Sequence, residues 1–406
     1  MFFLKKVYIR VFQSIFNIAA RVLPWRKATI VKGIESIPNL LNDLPSRKPM
    51  VITDEGLIRA GVTEKILSIL DEGNLSYLLY SNVTPNPSVD TVNEIYNLFS
   101  ECGCDSFVAI GGGSVIDATK AAAARLTRPK KTVQQLGGLL KVMKKVTPII
   151  AVPTTAGTGS ETTIAALVTD TKTHHKYAIM DLALIPRYAV LDANLTLGLP
   201  PSITAATGMD ALTHAVEAYL CWTYNTKESI RYAEDAVRLI FENLLKVYND
   251  GGDVAAREKM LEASYMAGFA FTRAGVGNIH AIAHTLGGLY NTPHGLANAV
   301  ILPIVLKDYG SKVYKKLAKL CRLTNIATGV SEEDDALNFI SAIEILNDTM
   351  DIPNSFDFIK EEDIPQMIMW ASKEANPIYP VPIIYSSQRY QRVIKEIMSS
   401  SYVSGK

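Results

Sequence analysis

The chain holds six histidines in 406 residues. Three of them, His280, His284 and His294, stand in one stretch, NIHAIAHTLGGLYNTPHG (residues 278–295). His280 and His284 are four positions apart, so on a helix their imidazoles share a face. Upstream, GMDALTHAVEAY (residues 208–219) repeats that spacing with Asp210 and His214. NTPHG reads as Thr292 capping a helix, Pro293 at its first position and His294 just inside. Two helical faces and one helix start therefore offer metal-type ligands. A core role explains any one of these histidines, but explains poorly four of them grouped with an aspartate. The other two, His174 and His175, fall in a polar, loop-like stretch. Imidazole plus carboxylate without thiolate suits Fe2+ or Zn2+ at an open catalytic site, not a structural cysteine-rich zinc. Four histidines and Asp210 exceed what such a site needs. One imidazole thus stands beside the metal, placed to pass a proton between a substrate oxygen and solvent; residue chemistry leaves open which one.

A second chemistry is written in glycine-rich turns. SFVAIGGGSVIDATKAAAA (residues 106–124) is an apolar run, a glycine turn and a helical run. Gly111, Gly112 and Gly113 let backbone approach a phosphate, and the N–H groups of the following helix favour its charge. Ile116 stands where a dinucleotide fingerprint has its third glycine, so this turn alone fits a tight strand–helix connection equally well. AVPTTAGTGSETT (residues 151–163) supplies a second such turn. Two glycine-rich loops at strand ends of one sheet mark the nucleotide edge of an open α/β fold. Asp54, closing the run MVIT, adds a carboxylate that would bond an adenosine ribose and repel a 2′-phosphate; its competing role is a turn residue before Glu55-Gly56.

These residues need elements to hold them. KPMVITD (48–54), LSYLLYSN (75–82), DSFVAIGGG (105–113) and VTPIIAVPTT (146–155) read as strands alternating with helical stretches such as TEKILSILDEG and VDTVNEIYNLFSECG. Near-continuous apolar strands between helices predict a parallel sheet covered on both faces. Past Pro200–Pro201 the pattern turns helical, as in KESIRYAEDAVRLIFENLLKVY and AAREKMLEASYMAGFAF, with SEEDDA (331–336) as a helix start carrying acids in its first turn. The expected organisation is an extension over 1–23, a Rossmann-like α/β domain over 24–200 and an all-α domain over 201–406. A phosphate-binding domain and a metal domain facing one cleft make hydride transfer the economical chemistry: the metal activates an alcohol oxygen and a nicotinamide takes the hydride.

The extension MFFLKKVYIRVFQSIFNIAARVLPWRK has basic residues and no acid. Arg10, Gln13 and Asn17 interrupt its apolar run, so it cannot span a bilayer. Leu4, Val7, Val11, Ile15, Ile18 and Val22 recur at helical spacing, which predicts an amphipathic helix packed on the domain or on a second subunit. A membrane-surface helix and a cleaved address are the secondary readings. Charged residues make up 20% of the chain and the net charge is +1, which gives no reason to expect a nucleic-acid partner. Four sparse cysteines, Cys102 and Cys104 spaced C-x-C among them, fit a reduced, cytoplasmic compartment.

Taken together, GGGSVIDATK, PTTAGTGSE, GMDALTHAVEAY, NIHAIAHTLGGLYNTPHGLANAVILP and EANPIYPVP resemble the iron-containing (group III) alcohol dehydrogenases, in order over about residues 24 to 395. No position of these motifs is missing. The resemblance implies the dehydroquinate synthase-like fold, a homodimer, NAD(H) and Fe2+, with Zn2+ as the other metal. It implies Asp210, His214, His280 and His294 as ligands, leaving His284 beside substrate and nicotinamide. It puts the pyrophosphate on Gly111, Gly112, Gly113 and Ser114, with further cofactor contacts at Asp117, Thr154, Thr155, Thr158 and Lys176, and an acidic residue of NAD-preferring members at Asp54. The expected activity is oxidation of a short primary alcohol or 1,2-diol, or the reverse reduction of an aldehyde. The rivals are a zinc polyol dehydrogenase resembling glycerol dehydrogenase and, in another class, a metal-dependent hydrolase.

Overall fold

The computed structural model describes residues 2–171 and 175–398; His174 lies outside them. The chain forms two compact units, one of Pro24–Leu199 with Gly251–Gly268, the other of Met1–Leu23, Pro200–Asp250 and Phe269–Lys406.

After an opening helix α1 (Phe2–Arg21), the first unit is built on strands β1 (Thr29–Lys32), β2 (Pro49–Ile52), β3 (Leu78–Tyr80), β4 (Ser106–Gly111), β5 (Gly138–Leu139), β6 (Ile149–Pro153), β7 (Ala165–Asp170), β8 (His175–Met180) and β9 (Tyr188–Leu191). Its helices are α2 (Ile37–Asp43), α3 (Glu55–Arg59), α4 (Val62–Glu72), α5 (Val89–Glu101), α6 (Gly113–Thr127) and α7 (Val133–Leu136). Six strands make one parallel sheet in the order β1-β9-β6-β4-β2-β3. Successive residues bury on opposite faces: Met50, Ile52, Phe107, Ala109, Ile149 and Ala151 join one core, and Val51, Val108, Ile110, Ile150 and Val152 the other. This two-sided burial is why β2, β4 and β6 read as unbroken apolar runs. The strand order reverses between β2 and β4, where the chain has gone out to β3 and returned, and the carboxyl ends of strands at such a reversal are where open α/β sheets bind ligands. The remaining strands form a small sheet, β5-β8-β7. His175 opens β8, so the stretch read as loop-like is a strand from that residue on.

The second unit is helical: α8 (Pro201–Leu220), α9 (Lys227–Asn249), α10 (Val254–Ala274, its residues through Gly268 belonging to the sheet unit), α11 (Asn278–Tyr290), α12 (His294–Tyr309), α13 (Tyr314–Leu323), α14 (Glu332–Thr349), α15 (Ile364–Ala375) and α16 (Ser387–Met398). α8 is buried along nearly its whole length from Thr204 to Leu220, as a helix apolar on all sides must be. α9 opens on a capping box of Thr226 and Ser229, and α14 on Ser331 with four acids in its first turn, both as helix electrostatics favours. The turn into α12 differs from the sequence reading by one residue: Pro293 is the cap and His294 begins the helix, while Thr292 makes no capping bond. Asn291 just before it adopts a left-handed conformation that ends α11, so α11 and α12 fold back on each other through three residues.

α1 belongs to the helical unit, and it docks by the face that the sequence marks as polar. Ile9 and Gln13 are its buried residues. Gln13 donates to the carbonyls of Pro377 (3.0 Å) and Tyr379 (2.7 Å) and accepts from the Trp222 indole (2.6 Å). Arg10 donates to Val381 and stacks on Trp222, and Asn17 donates to Thr223. The expected packing stripe, Leu4 through Val22, is exposed. The docked face is held by the Gln13 amide, paired at both its nitrogen and its oxygen, as a buried amide must be. Among the described residues no helix is long and apolar enough to cross a membrane.

Candidate functional site

α8, α11 and the first residue of α12 bring Asp210, His214, His280 and His294 together, each offering a donor atom within 4.8 Å of the others. Asp210 Oδ2 lies 3.8 Å from His214 Nδ1, and Asp210 Oδ1 lies 3.6 Å from His294 Nε2. The His214 and His280 rings are 4.4 Å apart between centroids, those of His280 and His294 5.3 Å. The glycine of the NTPHG turn has a specific task here: a side chain on Gly295 would collide with the Ala206 carbonyl and stand 3.3 Å from the Asp210 Cβ. Only glycine lets α12 start close enough to α8 for His294 to reach Asp210. Asp210, His214 and His280 are buried and His294 is partly exposed. A buried carboxylate among imidazoles is stabilised by a divalent cation far better than by its own protonation, and this donor set suits Fe2+ or Zn2+. The residues present fit such an ion.

Three residues that the sequence reading did not single out complete this group. Glu217, one turn beyond His214 on α8, takes the His280 Nδ1–H at 2.6 Å and accepts from the backbone N–H of Gly277 and Ile279, both at 2.8 Å. One carboxylate thus orients an imidazole and satisfies the start of α11. Glu374 holds His284 Nδ1 at 2.6 Å and accepts from the Tyr379 hydroxyl at 2.8 Å. Burial works to push the Glu374 carboxyl up, but His284 and these hydrogen bonds bring it below the ordinary carboxylate range. Asn298 donates to Asp210 Oδ1 at 2.7 Å, with its amide nitrogen 3.2 Å from both His280 Nε2 and His294 Nε2. His284 stacks on His294 at 5.0 Å but stands outside the four-residue group. Phe271 stacks on His214 at 4.3 Å, whereas Phe269 is buried against Tyr232.

In the sheet unit the glycine turns after β4 and β6 are neighbours, Gly111 pairing with Pro153. A Cβ on Gly113 would lie 2.7 Å from Thr158 Cγ2, and one on Gly112 3.3 Å from Thr155 Oγ1. The two loops therefore nest, with Ser114 in the first turn of α6 and Thr154 bonded back to Gly111 (3.2 Å). Asp117 uses both oxygens inside the protein, accepting from Ser160 Oγ (2.6 Å) and from Leu167 N–H (3.0 Å). Buried Lys120 adds bonds to Ser160, Thr163 and Ala165. Asp117 and Lys120 thus staple the second loop to α6. Lys176, on β8, donates to Asn86 at 2.9 Å. Asp54 caps α3, accepting from Leu57 N–H at 3.0 Å, and follows β2 at the reversal of strand order. Its turn-forming role is real, and one oxygen carries it.

Comparison with known proteins gives these groups a family. The sequence model of the iron-containing alcohol dehydrogenases matches residues 29–193, and that of the C-terminal part of the Fe-containing alcohol dehydrogenase family matches residues 204–398. Lactaldehyde reductase of Escherichia coli (strain K12) is 35% identical over 330 residues, 79% of this chain and 84% of that protein. NAD-dependent methanol dehydrogenase of Bacillus methanolicus is 35% identical over 341 residues, 82% of this chain and 87% of that protein. A crystal structure of 1,3-propanediol oxidoreductase superposes with a TM-score of 0.88 at 34% identity, over 93% of this chain and all of that one. Two converging motifs, two matching halves and relatives similar along most of their length agree: the chain belongs to the iron-containing alcohol dehydrogenase family and is an NAD-dependent alcohol oxidoreductase.

Proposed function

We propose that this alcohol dehydrogenase interconverts a short primary alcohol or vicinal diol and its aldehyde, with Asp210, His214, His280 and His294 holding Fe2+ and His284 on the substrate side. The observation that carries the reading is the convergence of four buried or half-buried donors beside a histidine that is itself held by a separate carboxylate. The metal supplies Lewis acidity when bound, and NAD(H) carries the hydride. Glu217 fixes the His280 tautomer, so that Nε2 points its lone pair away from the carboxylate and toward a cation. Glu374 does the same for His284, which leaves His284 Nε2 as the atom that takes or returns a substrate proton. Phe271, stacked on His214, sets an apolar ring beside the donor group, which suits a small carbon chain. The turns at Gly111–Ser114 and Thr154–Thr158 take the pyrophosphate, Lys176 a further contact, and the second oxygen of Asp54 the ribose. Residues 24–200 act as the nucleotide domain, 201–406 as the catalytic one. A homodimer in a reduced cytoplasm belongs to the same reading.

Relatives are named lactaldehyde reductase, methanol dehydrogenase and 1,3-propanediol dehydrogenase, which supports a short alcohol or aldehyde substrate. The hydrolase reading is not favoured. The test is an anaerobic assay of metal-stripped protein reloaded with Fe2+ or with Zn2+, following NADH over a panel of short primary alcohols and vicinal diols. Turnover with Fe2+ is expected. His280→Ala and His294→Ala should lose the metal, while His284→Ala should keep it and lose turnover. Stoichiometric metal in either of the first two variants would overturn the ligand set. Absence of turnover across the panel, with metal and NADH both bound, would overturn the substrate class.

A further inference from the structure

We propose that the outward face of α1 docks the enzyme on an anionic lipid surface. The helix has a docked, largely polar face and an apolar one on the opposite side. One is sealed: Ile9 and Gln13 are buried, Phe16 packs on Tyr224, and Arg10, Gln13 and Asn17 are tied to residues of the helical unit. The other carries Phe3, Leu4, Val7, Tyr8, Val11, Ile15, Ile18 and Val22, all exposed, the six aliphatic ones between 46% and 83%. Gln13 and its backbone partners fix the rotation of the helix, so this stripe cannot turn inward without breaking three paired hydrogen bonds. Ser14, beside the stripe, donates its hydroxyl proton back to the Arg10 carbonyl at 2.9 Å.

Charge selects the occupant. Lys5 near the start of α1 and Arg21 at its end flank the stripe, and Phe2–Arg21 contains no acid. A basic helix with an aliphatic and aromatic face is the pattern of a helix lying in a lipid interface, where apolar burial and attraction to anionic headgroups add. A second copy is a poor match. The same stripe laid on itself meets Lys5 with Arg21 when antiparallel and Lys5 with Lys5 when parallel, without a compensating acid on the helix.

The experiment is co-flotation of the full-length holoenzyme with vesicles of phosphatidylcholine alone and of an equimolar mixture with phosphatidylglycerol. The anionic vesicles should carry at least roughly tenfold more enzyme than the neutral ones at low salt, with release as salt rises. Val11→Asp combined with Ile15→Asp should stay unbound while keeping parental activity, and Lys5→Glu with Arg21→Glu should lose the preference for anionic vesicles. Equal flotation of parent and Val11→Asp/Ile15→Asp, or none by the parent, would overturn the proposal. If the parent fails to float and those substitutions change its sedimentation coefficient, the stripe belongs to a second copy.

Discussion

Glu217 serves two structures at once, since the same carboxylate receives the His280 Nδ1–H and two backbone N–H groups at the start of α11. Glu217→Gln keeps the volume but turns a donor toward one of those N–H groups and removes the charge that holds the imidazole. Iron affinity should fall about 10- to 100-fold, the range found when such supporting carboxylates are removed. Competition with a chelator measures it, and an unchanged affinity would leave Glu217 with a folding role alone. Asp54 allows a cleaner separation of roles. One oxygen caps α3, and asparagine caps as well as aspartate. Asp54→Asn should therefore keep stability while removing the charge that repels a 2′-phosphate, raising kcat/KM for NADPH relative to NADH by about tenfold or more. A ratio that does not move would take Asp54 out of the ribose site. A spacing of four exposed Asp210 with His214 and His280 with His284, and the NTPHG turn exposed His294; which histidine stands outside the group came only from the family resemblance. Spacing did not expose what Glu217 does, although Glu217 stands one turn from His214, because its partners lie 60 and more positions away. Glu374 was hidden for the same reason, 90 positions from His284.

The second glycine loop carries buried charge, and that sets a pH dependence. Burial pushes the Glu161 carboxyl up from 4.5 to about 7, against the pull of its own backbone N–H and of Lys120. The folded chain then holds a proton that the unfolded chain has released, so this contribution to stability is complete below the ordinary carboxylate range and is lost as pH rises through about 7. Lys120, brought down to about 8 by burial, acts on the other side: the unfolded chain binds the extra proton there, and stability recovers above that value. Glu161→Gln should accordingly flatten the fall in the unfolding free energy, read from urea titrations, between about pH 5 and about pH 7.5, a difference on the order of 2 kcal/mol. A slope equal to that of the parent would mean that Glu161 stays ionised within the fold. Among the elements themselves, β2, β3, β4 and β6 were legible as apolar runs. β1 and β7 were not, since β1 is an edge strand with most of its residues exposed and β7 alternates in burial. The face by which α1 docks was hidden too, because the carbonyls that receive Gln13 lie 364 and 366 positions ahead in sequence.

At the scale of the whole chain, the change from strands to helices near Pro200 was visible, but the return of Gly251–Gly268 to the sheet unit was not. That segment reads as ordinary helix; what claims it is contact. Tyr265 donates to the Ala28 carbonyl at 2.8 Å, and the Gly268 backbone lies against Gly159, where a Cβ would be 2.7 Å from the Gly268 Cα. The metal donors lie in one unit and the glycine turns in the other, which makes the two ligands separable by where each one stabilises the chain. A ligand at a hundred times its dissociation constant stabilises the form that binds it by about 2.7 kcal/mol, enough to slow amide exchange about 100-fold wherever opening requires its release. Fe2+ should therefore protect amides of α8, α11 and the start of α12, while NADH should protect the β4–α6 turn and residues 154–160. Hydrogen exchange by mass spectrometry on the stripped, iron-loaded and NADH-bound protein reads both at once. Iron that protects the glycine turns and leaves α11 and α12 unchanged would overturn the ligand assignment, and NADH that leaves both turns unprotected would overturn the nucleotide site. The pattern also has a consequence for function: if each ligand slows exchange only in its own unit, the family chemistry rests on two sites that form independently, and loss of iron should abolish turnover while leaving NADH affinity within about twofold of the loaded enzyme.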